Sequence, residues 1–240
     1  MSHSFNSEPH KVAERRNLWA VVDLFVFGLF AMAMLAMLIA LTPLDKIPVI
    51  YAIPLQALFN VAVVGFTAGW IRITRGIPFT EYIHFFRTNT FSMRSMIILG
   101  LASALSVLFI APLLPSNGPS PLEKQLTTRS AILMFAVFGV AVAPLFEEVI
   151  FRGFLFKVLW EIGGSKLAVP GSAVLFAGTH APQLGENWYA VLLIFLVGLI
   201  LAVVRQRSNS VIPSFIIHTS YNGAIFVLFA LGTLLQKSTR

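Results

Sequence analysis

The sequence predicts an all-α fold, a polytopic transmembrane helical bundle, and three observations carry that prediction. Hydrophobic residues make up 57% of the 240 residues and charged residues only 11%, against roughly 45–50% and about 25% in an ordinary soluble domain. Mean hydropathy is +0.83. Apolar runs recur from residue 18 to residue 235 instead of forming one anchor. Cysteine is absent, which excludes disulfides, thiolate zinc sites and a cysteine nucleophile, and leaves any metal to His and carboxylate ligands. A formal charge of +7 would point to nucleic acid in a soluble protein. In a membrane protein it reports topology, so no nucleic-acid partner is expected and the lipid bilayer is the surrounding medium.

Taken in order, residues 1–17 read as a polar tail. The apolar stretch 18–41 is too long for a cleavable signal segment and lacks an A-x-A exit, so it reads as an uncleaved first helix. At about 1.5 Å per residue it reaches roughly 36 Å, enough to cross a hydrocarbon core of about 30 Å with some tilt. Six further spans are predicted near residues 48–73, 96–114, 131–160, 168–181, 188–204 and 211–235. The count is about seven, with eight as the alternative. The fifth is short and interrupted by glycine, and a re-entrant path there would reverse the side on which the C-terminus emerges. Residues 75–93 mix Phe79, Tyr82, Phe85 and Phe86 with Glu81, His84 and Arg87, which suits either a short interfacial helix or an ordinary loop. Residues 115–129 form the clearest loop, because Pro and Gly punctuate a polar stretch. The domain organisation is thus a tail (1–17), N-terminal helices with their interfacial loop (18–129), a helical core carrying the chemistry (130–235) and a short end (236–240).

Orientation follows from Lys and Arg on alternating sides. Twelve of the 17 fall on the N-terminal side of the seven-span reading, and Lys46, Lys124, Arg129, Lys237 and Arg240 on the other. The N-terminus is expected in the cytoplasm, with the protein multi-pass in a plasma or inner membrane.

A charged side chain near the bilayer centre costs about 2.5–3.5 kcal/mol even on the lenient insertion scale, so each one marks a candidate functional site. The predicted fourth span reads AVAPLFEEVIFRGFLF and holds Glu147, Glu148 and Arg152. Glu148 and Arg152 are four apart on one helical face and can pair; Glu147, rotated by about 100°, points elsewhere. Pro144 removes a backbone donor and leaves the carbonyl of Val140 unpaired, so a kink is expected just before the acids. The fifth span ends with Phe176 and His180 on a common face, and the last carries His218 and Asn222 at the same spacing. Counted from the cytoplasmic ends, Glu147 lies roughly 20 Å from Trp160, His180 about 15 Å from Pro170 and His218 about 16 Å from Arg207. All three reach similar depths, around a mid-membrane polar cavity, with a base, a polarising partner or metal, and donors for an oxyanion. No H-E-x-x-H, no G-x-S-x-G and no phosphate-binding glycine pattern occurs. A Glu/His site without a side-chain nucleophile favours direct attack of an activated water on a carbonyl.

These residues resemble the CAAX protease and bacteriocin-processing (CPBP, Abi) intramembrane endopeptidases. The family's E-E-x-x-x-R-G corresponds to Glu147, Glu148, Arg152 and Gly153, its F-x-x-x-H to Phe176 and His180, and its H-x-x-x-N/D to His218 and Asn222, over roughly residues 130–235. The resemblance implies that Glu147 activates water with His180, that His218 and Asn222 hold the oxyanion, and that Glu148, Arg152 and Phe176 support them. It also leaves open a divalent metal such as zinc, which Glu147, His180 and His218 would ligate, beside a metal-free Glu/His mechanism. The implied substrate is a membrane-associated protein or peptide, reached from the cytoplasmic leaflet. Two other functions stand beside this one. A proton- or ion-coupled transporter would also bury ionisable groups, and a membrane scaffold or bacteriocin-immunity protein could keep the polar cluster without catalysis.

Overall fold

A computed structural model describes residues 8–41, 47–115, 118, 124, 126, 128–185 and 187–238, and within these the side chains of all but residues 8–16, 41, 49 and 230–238. The first seven residues of the predicted tail, most of the predicted loop 115–129 and the last two residues lie outside that description, as do the side chains of Lys46 and Lys237.

Every regular element among the described residues is helical. Helix α1 runs over Glu8–Leu41 and α2 over Val49–Arg75. The second stops at Gly76, whose φ of 70° lets its N–H turn back to the Arg72 carbonyl, a left-handed cap that glycine adopts without a Cβ penalty. One turn follows, α3 at Phe79–Tyr82. Helix α4, Met93–Ile110, starts where the Ser92 side chain accepts the Ser95 N–H, and α5, Arg129–Val137, starts on Thr128 in the same way. Then come α6 (Ala143–Glu147), α7 (Phe156–His180), α8 (Trp188–Ser208) and α9 (Val211–Ser238).

Between α5 and α7 the helix is widened twice, at Phe138–Val142 and at Glu148–Leu155, where π-type turns replace α-type ones. The expected kink at Pro144 takes this form. Pro144 cannot donate, and just ahead of it the Ala143 N–H bonds the Phe138 carbonyl five residues back. The run continues to Gly163 (φ −141°, ψ 18°) and Gly164 (φ 62°, ψ −159°), where the backbone leaves helical geometry. The second of these conformations is essentially reserved for glycine. Across that point Arg152 lies over the Phe176 ring at 4.2 Å, and a Cβ on Gly171 would come within 3.0 Å of Leu159 Cδ1. These pairs are nearly symmetric about residue 164, so the chain reverses there. The predicted fourth and fifth spans are the two legs of one hairpin.

The exterior is apolar, and the intramembrane charges are buried inside among apolar core clusters. Leu18, Phe25 and Met32 are 65%, 65% and 70% exposed, while Asp23, Glu148 and Arg152 are fully buried. In hydrocarbon the outward Leu and Phe cost nothing, and charges are tolerated only where they meet partners inside. Six described stretches are long and apolar enough to cross a membrane, with the hairpin counted as one.

The segment 75–93 confines its short helix to the single turn α3, Phe79–Tyr82. After α3 it is irregular, and Tyr82 and Ile83 are buried against Phe154, Leu155 and Val158. Arg205, expected as a boundary charge, is instead buried, because α8 runs past the predicted end at 204.

Helices α4 and α9 meet at Gly100, where a Cβ would lie 2.5 Å from the Ile217 carbonyl and 2.7 Å from Ser220 Cβ. Both are too close for real atoms, and the first is rigid backbone. Gly100→Ala is therefore expected to push α9 outward at the residue before His218. Thermal unfolding in detergent should show a loss of about 1–3 kcal/mol, the usual cost of overpacking.

Candidate active site

The hairpin turn at Gly163–Gly164 and the widened helix before it place the polar residues. Reversal about residue 164 sets position 180 opposite position 148, so the end of α7 returns to the level of the paired acids. Helix α9 then supplies His218 from a third direction.

Glu148 is the centre of a buried ion cluster. Its Oε1 receives the Arg152 guanidinium at 3.0 Å and His218 Nδ1 at 3.0 Å, and all three residues are buried. The Glu148–Arg152 pair is thus the i,i+4 pair that the spacing predicts. Arg152 also donates to the Gly198 carbonyl at 3.2 Å. The donation from His218 Nδ1 to Glu148 fixes the imidazole orientation and turns Nε2 toward Glu147, whose Oε2 is 3.6 Å away. Spacing alone put Glu147 on a different face from Glu148. At the junction of α6 and the wider turn, both carboxylates instead reach the same ring, one at each nitrogen. The two acids differ in access: the Glu147 side chain is 25% exposed, that of Glu148 0%.

Phe176 holds the motifs together. Its ring, 2% exposed, lies under the Arg152 guanidinium at 4.2 Å, 4.6 Å from the His180 ring and 5.5 Å edge-on from the His218 ring. A cation over a desolvated aromatic face is worth up to about 2 kcal/mol. His180 Nδ1 donates to the Phe176 carbonyl at 2.8 Å, which leaves Nε2 for other work. Among the described residues no hydrogen bond joins His180 to either carboxylate. Asn222 donates through Nδ2 to the Gly139 carbonyl at 2.7 Å, within the first widened turn.

Two residues escaped the sequence reading. Asp23, fully buried in α1, accepts from Trp70 Nε1 at 2.9 Å and pairs with Arg75. A lone acid inside the apolar stretch 18–41 was the available signal. Arg205 donates through Nε to the Arg152 carbonyl at 2.8 Å and through Nη2 to the Ile83 carbonyl at 3.4 Å. It ties the loop after α3 to the backbone of the acid-bearing segment, and nothing in its local sequence distinguishes it from a boundary charge.

For a metal, the donor set is the test. Among the described residues no three His, Asp or Glu side chains converge as ligands. His218 Nδ1 is engaged by Glu148 and His180 Nδ1 by a carbonyl, so Glu147 and the two Nε2 atoms are the donors that would hold an ion, and no step is derived through one.

Residues 129–224 match a family model described as type II CAAX prenyl endopeptidase Rce1-like. Neither the curated proteins nor the solved structures give a match to the chain. The matched segment begins at α5 and ends two residues beyond Asn222, so it encloses every member of the cluster around Phe176.

Proposed function

From a chain whose residues 129–224 form a domain of the CAAX protease family, we infer an intramembrane endopeptidase in which Glu147 is the general base. The observation that carries this assignment is the asymmetry of the two acids. Glu148 is sealed between Arg152 and His218, while Glu147 keeps a quarter of its side-chain surface open.

In this reading a water molecule sits against Glu147 and His180 Nε2. Glu147 takes a proton as the water oxygen bonds to the substrate carbonyl carbon. The carbonyl oxygen gains the negative charge and is held by the second amide hydrogen of Asn222 and by His218, whose Nε2 must carry a proton to donate because Nδ1–H is given to Glu148. The proton on Glu147 then passes to the departing amine nitrogen as the C–N bond breaks. Glu148 and Arg152 act as positioning residues, since they fix the His218 ring and touch no reacting atom. Phe176 keeps Arg152, His180 and His218 in register and helps to exclude water. The substrate is a membrane-associated protein or peptide. With Lys and Arg more numerous on the N-terminal side, this reading has the N-terminus in the cytoplasm.

The test compares newly created peptide termini in membranes carrying the wild-type protein or Glu147→Gln at equal expression. Termini present only with the wild type are expected, and they identify the substrate and the cut site together. Identical sets of termini, with both proteins folded, would overturn the assignment in favour of a scaffold.

A further inference from the structure

A second polar cluster lies away from Glu147, where the end of α2, the single turn α3 and the start of α7 meet. Arg75, Ile77, Glu81, Tyr82, His84, Lys157 and Glu161 line a cleft of about 360 Å³, a size typical of sites for small ligands. The proposed reaction uses none of them.

Two observations set the level of the cleft in the membrane. The apolar span of α2 ends at Arg75. Trp19 is 44% exposed and its ring lies 6.0 Å from the Arg75 guanidinium at the cleft. Exposed tryptophans concentrate at the headgroup layer, where an amphipathic ring has one side in hydrocarbon and one in water.

The chemistry of the lining is mixed in sign. Arg75 pairs with Asp23 and lies 3.5 Å from Glu161, yet its Nε has no partner. Lys157 Nζ is 3.3 Å from Glu161. Both cations approach the Tyr82 ring, at 5.9 and 6.0 Å. Tyr82 is 4% exposed and its hydroxyl has no hydrogen-bond partner. Burial, reinforced by the nearby Glu161 and Asp23 carboxylates, holds that hydroxyl protonated well above the ordinary phenol range, so it remains a donor. Among the described residues both of these donors, Arg75 Nε and the Tyr82 hydroxyl, lack a partner, whereas buried polar groups are almost always satisfied. Glu81 is exposed at the rim. Among the described residues the lining holds two cations, Arg75 and Lys157, and two carboxylates, Glu81 and Glu161, so a purely anionic ligand meets no net attraction. A ligand carrying both a phosphate and an ammonium group meets a partner for each.

We propose that this cleft holds the headgroup of a zwitterionic phospholipid with a primary ammonium, its phosphate drawn to Arg75, Lys157 and the Tyr82 hydroxyl and its ammonium to Glu81. A primary ammonium donates hydrogen bonds to carboxylates, whereas a trimethylated one has no N–H to give.

Native mass spectrometry of the purified full chain tests this, with phosphatidylethanolamine, phosphatidylcholine and phosphatidylglycerol of identical acyl chains. The wild type should retain the ethanolamine lipid over the choline lipid by on the order of tenfold, the factor carried by one hydrogen bond to a charged group. Glu81→Gln should bring that ratio close to one. Tyr82→Phe removes only the orphaned hydroxyl and should weaken retention of the ethanolamine lipid by a similar factor without lowering the unfolding temperature. Equal retention of the ethanolamine and choline lipids by the wild type would overturn the proposal, as would preference for the glycerol lipid. Binding of soluble phosphoethanolamine with no lipid retained would overturn the lipid assignment in favour of a free metabolite.

Discussion

Glu147→Gln is expected to lower peptide cleavage by roughly 10²–10⁴-fold, the range a positioned general base contributes, while the protein keeps its helix content and its unfolding temperature. The glutamine preserves the shape of the side chain and removes its basicity. The fold should tolerate it because Glu147 is partly open and lies 3.6 Å from its nearest described partner, His218 Nε2, too long for a hydrogen bond. Steady-state kinetics on a cleaved peptide would show the loss in kcat with KM nearly unchanged, since water activation acts in the transition state. His180→Ala should lose activity to a comparable degree with little loss of stability, because the one described hydrogen bond of His180 is to the Phe176 carbonyl in its own helix. Retained turnover in either variant would remove the base from Glu147 or its partner from His180.

Arg152→Ala is expected to have the opposite signature, a stability loss of about 3–5 kcal/mol. The guanidinium is fully buried, pairs with Glu148 at 3.0 Å, donates to the Gly198 carbonyl and covers the Phe176 ring. Truncation leaves Glu148 as an uncompensated charge with only His218 to meet it. A double variant, Glu148→Gln with Arg152→Ala, removes both charges and should be less destabilised than the sum of the two single changes, the non-additivity expected of a contacting pair. Chemical denaturation in detergent measures all four proteins. A single Arg152→Ala as stable as the wild type would show that the pair contributes nothing to the fold. Activity should also fall in Arg152→Ala, because Glu148 loses its fixed position and with it the orientation of His218. That loss should be partly recovered in the double variant if compensation of the Glu148 charge is what Arg152 supplies.

Long uninterrupted apolar runs can satisfy their backbone in hydrocarbon only as helices, so the number and approximate limits of the spans could be read directly from composition. Pairs four residues apart could be read as well. Glu148–Arg152 and Phe176–His180 are in contact as the helical repeat requires, since such contacts depend on a period that the chain carries locally. Pro144 signalled an irregularity, but not that it would be a widened turn.

What the tertiary structure alone decided are the meetings between distant segments. Gly163 and Gly164 permit a reversal, but only packing of the two legs, Arg152 on Phe176 and Leu159 on Gly171, shows that the chain takes it. His218 lies 70 residues from Glu148 and binds it directly, and Asp23 meets Arg75 across 52 residues. Arg205 looks like a topology charge in sequence and becomes a buried clasp on the Arg152 carbonyl. A local pattern determines which face of a helix is apolar and which residues share a polar stripe. Which stripe faces which is set by the joint burial of all the charges at once, because each one excluded from water must find its partner on another helix.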